Sequence, residues 1–217
     1  MRVFITATVV CIAFCSADVD AQVVVGAALG QSHQAEGKSE SPYLGPGFGG
    51  SSLAGIGMVD VSIASHVAVG AEVSLAADIS GTQNQRAAGG NNHFVSDHRD
   101  TVFSGLVKFG TPSGERVRAM AVAGGGIAQR RTERTGTFGR DFAPVPTTTP
   151  FQETVTDYVW ALTAGVDIAI GLTDHVALLG VGRFHQLKDS DLRPDGVVNR
   201  GVSSTILRYG GGIQVRF

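Results

Sequence analysis

The residue best suited to chemistry is His185, which follows Arg183 by two positions in an apolar stretch. A histidine acts as the general base of acyl transfer when a hydroxyl nucleophile lies within hydrogen-bond reach. If this stretch is a strand, Leu187 is the next residue on the histidine's face, and leucine cannot act as a nucleophile. Ser190 lies further along the chain. The local pattern therefore predicts no catalytic residue.

The sequence gives no clear sign of a metal, cofactor, thiol or nucleic-acid site either. His93, Asp97 and His98 occur close together but lack the fixed spacing of a metal site, so we expect no metal and no cofactor. Both cysteines, Cys11 and Cys15, fall near the start of the chain. The formal net charge of −2 gives no reason to expect a nucleic-acid partner.

Charged residues nevertheless recur at alternate positions inside otherwise apolar segments. If these segments are strands, the charges share one face, which we expect to line the interior of a barrel. Unpaired charges are costly to bury, so we expect them to form a lumenal network. The expected members are Asp60, Glu72 and Asp167 as anions, with Arg118, Arg183 and Arg208 as their cationic partners. Lys108, Asp157, His185 and Arg216 fall on the same faces. A structural plug is the simpler interpretation; a proton or ion path is the alternative.

The elements that carry these residues show a period of two. Residues 156–170 place Tyr158, Trp160 and Leu162 on one face, with small or polar residues on the other. The 30 glycines scattered through apolar stretches disfavour helices. We therefore predict an all-β fold with about eight strands. The predicted strands are 22–33, 48–64, 67–79, 99–110, 116–129, 153–171, 176–188 and 202–217.

The predicted connections alternate strictly between short and long. Residues 65–66, 111–115 and 173–175 form tight turns, and the long polar segments are 34–47, 80–98, 130–152 and 189–201. Short turns at one end and long loops at the other are typical of a closed up-and-down antiparallel transmembrane β-barrel.

The N-terminus is typical of a cleavable signal peptide, with Arg2 before an apolar stretch and small residues ending at Ala21. The alternatives are a lipoprotein modified at Cys15 and a buried N-terminal element. We expect a signal peptide at 1–21 and one barrel domain at 22–217.

The last predicted strand alternates apolar residues and ends on Phe217. This ending resembles the C-terminal signal that the outer-membrane assembly machinery recognises. With the loop pattern and the export signal, the chain resembles the small eight-stranded outer-membrane barrels typified by outer-membrane proteins A and X. The resemblance implies an outer-membrane location in a Gram-negative-type bacterium, with lipid and lipopolysaccharide as surroundings and the assembly machinery as a partner.

Two further sets of residues are expected to contact the membrane. Phe109 and Phe217 at the turn ends, with Tyr158 and Trp160 at the loop ends, would form the two aromatic girdles of a barrel. The basic residues Arg130, Arg131 and Arg134 would lie near lipopolysaccharide phosphates if they face outward. A plain solvated loop base is the other interpretation of that run.

Three functional hypotheses follow. The first is a non-enzymatic barrel with a structural or surface-interaction role. The second is a lipid A-modifying enzyme, because Arg183–Phe184–His185 loosely resembles the start of the histidine–serine motif of lipid A deacylase barrels; the chain departs from that motif after His185. The third is a soluble periplasmic lipocalin-like barrel, whose apolar face would point inward.

Overall fold

The computed structural model describes residues 22–35, 50–87, 90–112, 115–140, 147–188 and 204–217. Their regular elements are all β-strands, and no helix among them is long and apolar enough to cross a membrane. The strands are β1 (Val23–Gln34), β2 (Gly50–Ala64), β3 (Val67–Ala76), β4 (Ile79–Ala87), β5 (Gly90–Gly110), β6 (Val117–Arg140), β7 (Thr147–Gly171), β8 (Val176–Leu187) and β9 (Ser204–Arg216).

The strands close into a single antiparallel ring, which completes itself where β1 pairs with β9. β3 and β4 both pair with β5, one after the other, so together they act as one long strand of the barrel, interrupted at Ala77–Asp78. We call each such unit of the barrel, made of one strand or of β3 with β4, a stave. The nine strands therefore make a barrel of eight staves. This confirms the predicted fold class and strand number.

The barrel is apolar outside and polar inside. Leu29, Trp160 and Leu162 are 68–70% exposed on the outer surface, whereas Arg183 and Arg208 are completely buried in the lumen. A lipocalin-like barrel needs the opposite arrangement, so the structure contradicts that hypothesis. Two apolar clusters also lie inside, one around Leu179 and the other around Leu187.

Glycines make room for the long side chains of this narrow lumen. Gly70 pairs with Asp60, and a Cβ atom at Gly70 would collide with Asp60 Oδ1. A Cβ atom at Gly165 would lie 3.0 Å from Arg183 Cδ and would collide with the Gly182 carbonyl oxygen. The scattered glycines of the sequence therefore belong partly to the packing of the lumen.

The two ends of the barrel differ. Tight turns at residues 65–66 and 172–175 lie at one end, close to their predicted positions. At the other end, β5, β6 and β7 continue well past the ring, and β4 joins them to make a four-stranded sheet. We call this extension, formed by residues 79–87, 90–98, 131–140 and 147–158, the wall.

The wall corrects two predicted loops. Residues 80–98 and 130–152 were expected to be polar loops, but most of them are strand. Apart from Ile79 and His98, the described side chains of the wall are exposed or half-buried on both sheet faces, so the two-residue apolar rhythm disappears although the strands continue. The predicted signal peptide 1–21 and most of predicted loops 34–47 and 189–201 lie outside the described residues.

Candidate functional site

The middle of the lumen is organised around Lys108, which is 1% exposed. Its ammonium group donates hydrogen bonds to Asp60 Oδ2 and Asp167 Oδ2, both at 2.7 Å. These residues come from β5, β2 and β7, whose inward positions meet because the barrel is narrow. One lysine thus joins three staves.

Arg183 extends this group across the lumen. Its Nη1 lies 2.6 Å from Asp167 Oδ1, and its Nε donates to Glu72 Oε2 at 2.8 Å. Nη1 also donates to the carbonyl oxygens of Val166 and Gly182, both at 3.1 Å. We call Asp60, Glu72, Lys108, Asp167 and Arg183 the lumenal network. Its side chains cross the barrel and join β2, β3, β5, β7 and β8.

The pairing differs from the expected one at two arginines. Arg118 contacts Met120 Sδ at 3.4 Å and forms no ion pair with a described carboxylate. Arg208 donates instead to Ser32 Oγ, to Ser74 Oγ and to the Asp100 carbonyl oxygen. The prediction that Arg118 and Arg208 pair directly with the three carboxylates is therefore wrong. Lys108, which is shorter and lies between Asp60 and Asp167, holds those two carboxylates.

A second polar cluster lies where the ring meets the wall, and its centre is Asp100. Asp100 Oδ2 is 3.0 Å from His98 Nε2, and Oδ1 is 3.5 Å from Arg130 Nε. His98 Nδ1 in turn lies 3.0 Å from Thr132 Oγ1. Sequence analysis did not single out Asp100, which is the second residue of the predicted strand 99–110, because its partners His98 and Arg130 were assigned to predicted loops.

The basic run of β6 is divided between the two sheet faces. Arg130 points inward and donates to Ser204 Oγ at 2.6 Å, so it does not have the outward orientation that a lipopolysaccharide contact would require. Arg131 points outward, with its side chain 52% exposed and 2.6 Å from Glu133 Oε1. Arg134 lies in β6, but its side chain is outside the described structure. The strand continues through the run, and consecutive residues of a strand face opposite sides.

Arg131 has a second arginine beside it on the outer surface, because it pairs in register with Arg99 of β5. Arg99 makes a two-fold contact with Asp78, with Nε–Oδ1 and Nη2–Oδ2 distances of 2.7 Å. The hydrogen bond from Arg99 lowers the pKa of the Asp78 carboxyl group. Both arginines lie just beyond the outermost apolar residues Leu75 and Phe103.

The four predicted girdle aromatics all face outward. Phe109 and Phe217 are at least half exposed at the turn end, and Tyr158 and Trp160 are similarly exposed near the wall. The structure thus places them at two heights on the outer surface.

His185 is completely buried in the lumen, with Nδ1 3.0 Å from Thr163 Oγ1. Thr163 Oγ1 lies 2.9 Å from Ser104 Oγ, so the histidine belongs to an internal hydroxyl chain. It does not reach an outer rim where a lipid ester would be accessible. In the part of the chain that the structure describes, no group of three metal-ligating residues occurs.

No protein-family model matches the chain, and no curated protein sequence matches it. Solved structures do. Ail, the attachment invasion locus protein of Yersinia pestis, is 8% identical with a TM-score of 0.52, and the match covers 92% of this chain and 100% of that one. A major outer-membrane protein from Thermus thermophilus is 15% identical with a TM-score of 0.50, over 91% and 99% of the two chains. This chain therefore has the fold of the small eight-stranded outer-membrane β-barrels.

Proposed function

We propose that the protein is an integral outer-membrane barrel, exported through its signal peptide and inserted with its tight turns in the periplasm and its wall outside the cell. The exposed apolar surface and the aromatic residues at two heights support this, because they match the lipid-facing band of a membrane barrel. The assembly machinery would recognise the last strand, in which Phe217 is 75% exposed.

We further propose a surface-interaction role rather than an enzymatic one. The feature that carries this proposal is the β8-side edge of the wall, which has no paired strand among the described residues and which we call the open edge. β7 pairs with β8 from Ala161 onward, and Trp160 accepts a hydrogen bond from the Lys188 amide, so residues 147–159 have no described strand on that side. An unpaired edge offers a row of backbone donors and acceptors to an incoming strand.

The direction of these backbone groups follows from one hydrogen bond. The Lys188 amide donates to the Trp160 carbonyl oxygen at 2.9 Å, so Trp160 presents its backbone groups to the β8 side. Along a strand, alternate residues present theirs to the same side. Thr154, Thr156 and Tyr158 therefore point their amides and carbonyls to the open edge, whereas Val155 and Asp157 point theirs to β6.

Two other observations support a role at the cell surface. The Yersinia protein that shares the fold is named for attachment and invasion. In this chain, Arg99 and Arg131 lie side by side just beyond the apolar surface, at the height where lipopolysaccharide phosphates would meet the barrel. We propose this arginine pair as a lipopolysaccharide contact, in place of Arg130.

The open-edge proposal is tested with bacteria that display the protein on surfaces coated with extracellular-matrix proteins. We expect the wild type to adhere. Thr156→Pro removes an edge amide without removing a hydrogen bond to β6, and we expect it to reduce adhesion about tenfold. Thr156→Val keeps the amide and is the matched control. Equal losses in both variants would indicate recognition of side chains, and no adhesion by the wild type would contradict the proposal.

A further inference from the structure

The turn end of the lumen holds two arginines that the lumenal network does not use. Arg118 and Arg216 are 5% and 8% exposed, yet the Nε atoms of both and Nη2 of Arg216 have no hydrogen-bond partner among the described residues. Within the same part of the chain, neither guanidinium group has a carboxylate oxygen within the 4.0 Å of an ion pair. These are unusual positions for buried cations.

The charges in this half of the lumen do not balance. The carboxylates Asp60, Glu72 and Asp167 are already held by Lys108 and Arg183. Adding Arg118 and Arg216 gives four buried cations against three carboxylates, a surplus of one positive charge. Arg118 and Arg216 repel each other, and Asp60 and Asp167 attract Arg118 only from beyond ion-pair distance. Neither arginine has a described carboxylate within ion-pair distance, so the surplus charge falls on this pair, and burying such a charge is unfavourable.

Arg216 lines an open cleft of about 400 Å³ at the turn end of the barrel. Arg116 lines the same cleft, beside the turn formed by residues 171–174. The exposed residues Glu115 and Asp174 also line it, but neither forms an ion pair with Arg216. The uncompensated charge thus faces a space that solutes can enter.

We propose that this cleft binds a phosphate-class oxyanion. Arg216 and Arg116 would contact the anion, and Arg118 would add positive charge from behind. Guanidinium groups hold phosphate oxygens through paired, charge-assisted hydrogen bonds, and a phosphate would offset the surplus charge. The anion has two possible sources, the headgroup of a phospholipid in the adjoining leaflet and free phosphate in the surrounding compartment. The site lies at the opposite end from the wall and so goes beyond the surface-interaction role.

Binding is tested on purified full-length protein in a phosphate-free detergent, by following thermal unfolding while inorganic phosphate is added at constant ionic strength. We expect phosphate to raise the midpoint temperature of the wild type, because a ligand that binds the folded state stabilises it. Arg216→Gln should weaken phosphate binding at least tenfold. Asp174→Asn removes a repelling carboxylate and should strengthen it.

Two further variants guard against misfolding and nonspecific salt effects. Arg116→Gln alters an exposed residue of the cleft and should also weaken binding, so the test does not depend on how well Arg216→Gln folds. Lys188→Gln alters an exposed residue at the other end of the barrel and should respond as the wild type does. A wild type without a phosphate response, or a response that Arg216→Gln and Arg116→Gln both retain, would overturn the proposal.

The source of the anion is distinguished in vesicles. The protein is reconstituted in phosphatidylglycerol or in a galactolipid that lacks phosphate, and inorganic phosphate is then added to each. If the headgroup is the ligand, inorganic phosphate will stabilise the protein in galactolipid but not in phosphatidylglycerol. If free phosphate is the ligand, both samples will respond equally.

Discussion

Lys108 is the residue on which the middle of the lumen depends. Its ammonium group is the only described cation that contacts both Asp60 and Asp167, and the two carboxylates come from different staves. Without it, two buried carboxylates would face each other with less compensation. A buried ion pair contributes little beyond an apolar replacement of both partners, but removing one partner is strongly unfavourable.

We therefore predict that Lys108→Met destabilises the barrel by about 3–5 kcal/mol, the usual cost of leaving a buried charge unpaired. The measurement is the free energy of unfolding by urea in detergent micelles. Lys188→Met, which alters an exposed lysine, is the control and should change little. Equal stability of Lys108→Met and the wild type would show that the network is not needed for folding.

The arginine pair on the outer surface leads to a second prediction at this scale. Arg99→Ala and Arg131→Ala should each lower the stability of the barrel in bilayers that contain lipopolysaccharide, and much less in bilayers of neutral phospholipid. The reason is that the guanidinium groups would bind lipid phosphates in the first case. Thermal unfolding in both bilayers is the measurement. If each variant lowers the unfolding temperature equally in the two bilayers, the arginines stabilise the barrel only through their ion pairs with Asp78 and Glu133.

At the scale of the elements, the ring and the wall differ in what holds them. In the ring, β6 and β7 pair with neighbours on both sides and enclose the lumen. In the wall, the described side chains of their continuations are exposed or half-buried, and β7 lacks a described partner on one edge. Such segments contribute little to the stability of a barrel.

We predict that the barrel folds without the upper part of the β6–β7 hairpin. Replacing residues 132–155 by a two-residue turn keeps Arg130, Tyr158 and every β7 residue that pairs with β8. The shortened protein should retain the heat-dependent gel migration of a closed barrel and lose adhesion. Failure to fold would mean that the wall is part of the stable unit.

The elements also show how far the sequence could be interpreted. Strands such as β8 could be predicted because lipid and lumen impose opposite demands on alternate residues. The wall strands could not, since most of the described side chains on both of their faces are exposed or half-buried, and that contrast is lost. Four residues of the lumenal network were predicted from the sequence, namely Asp60, Glu72, Asp167 and Arg183. The central role of Lys108 could not be predicted, because it depends on distances between strands that are remote in sequence.

At the scale of the whole molecule, the apolar outer surface and the polar interior decide in which surroundings the folded protein is stable. The outer surface of the ring carries exposed apolar side chains on every stave, and the lumen holds buried polar and charged side chains. In water this surface would be exposed, so the folded barrel requires a bilayer or a detergent.

We predict that the precursor expressed in a Gram-negative host appears in the outer-membrane fraction. Unboiled and boiled samples should migrate differently on SDS gels, because a closed barrel resists the detergent until it is heated. A variant with a charge on the outer surface, Leu162→Arg, should reduce the amount inserted, since arginine near the middle of the bilayer costs about 2–4 kcal/mol. Recovery of the wild type in the soluble periplasm would contradict the membrane assignment.

The apolar outer face has a consequence for the history of the sequence. Lipid tails accept any apolar side chain of moderate size, so leucine, valine, alanine and phenylalanine can replace one another there at little cost. Half of each stave can thus drift while the fold is kept. Barrels of this kind can therefore keep one shape with very different sequences, as the 8% and 15% identity between this chain and the two solved barrels of the same fold illustrates.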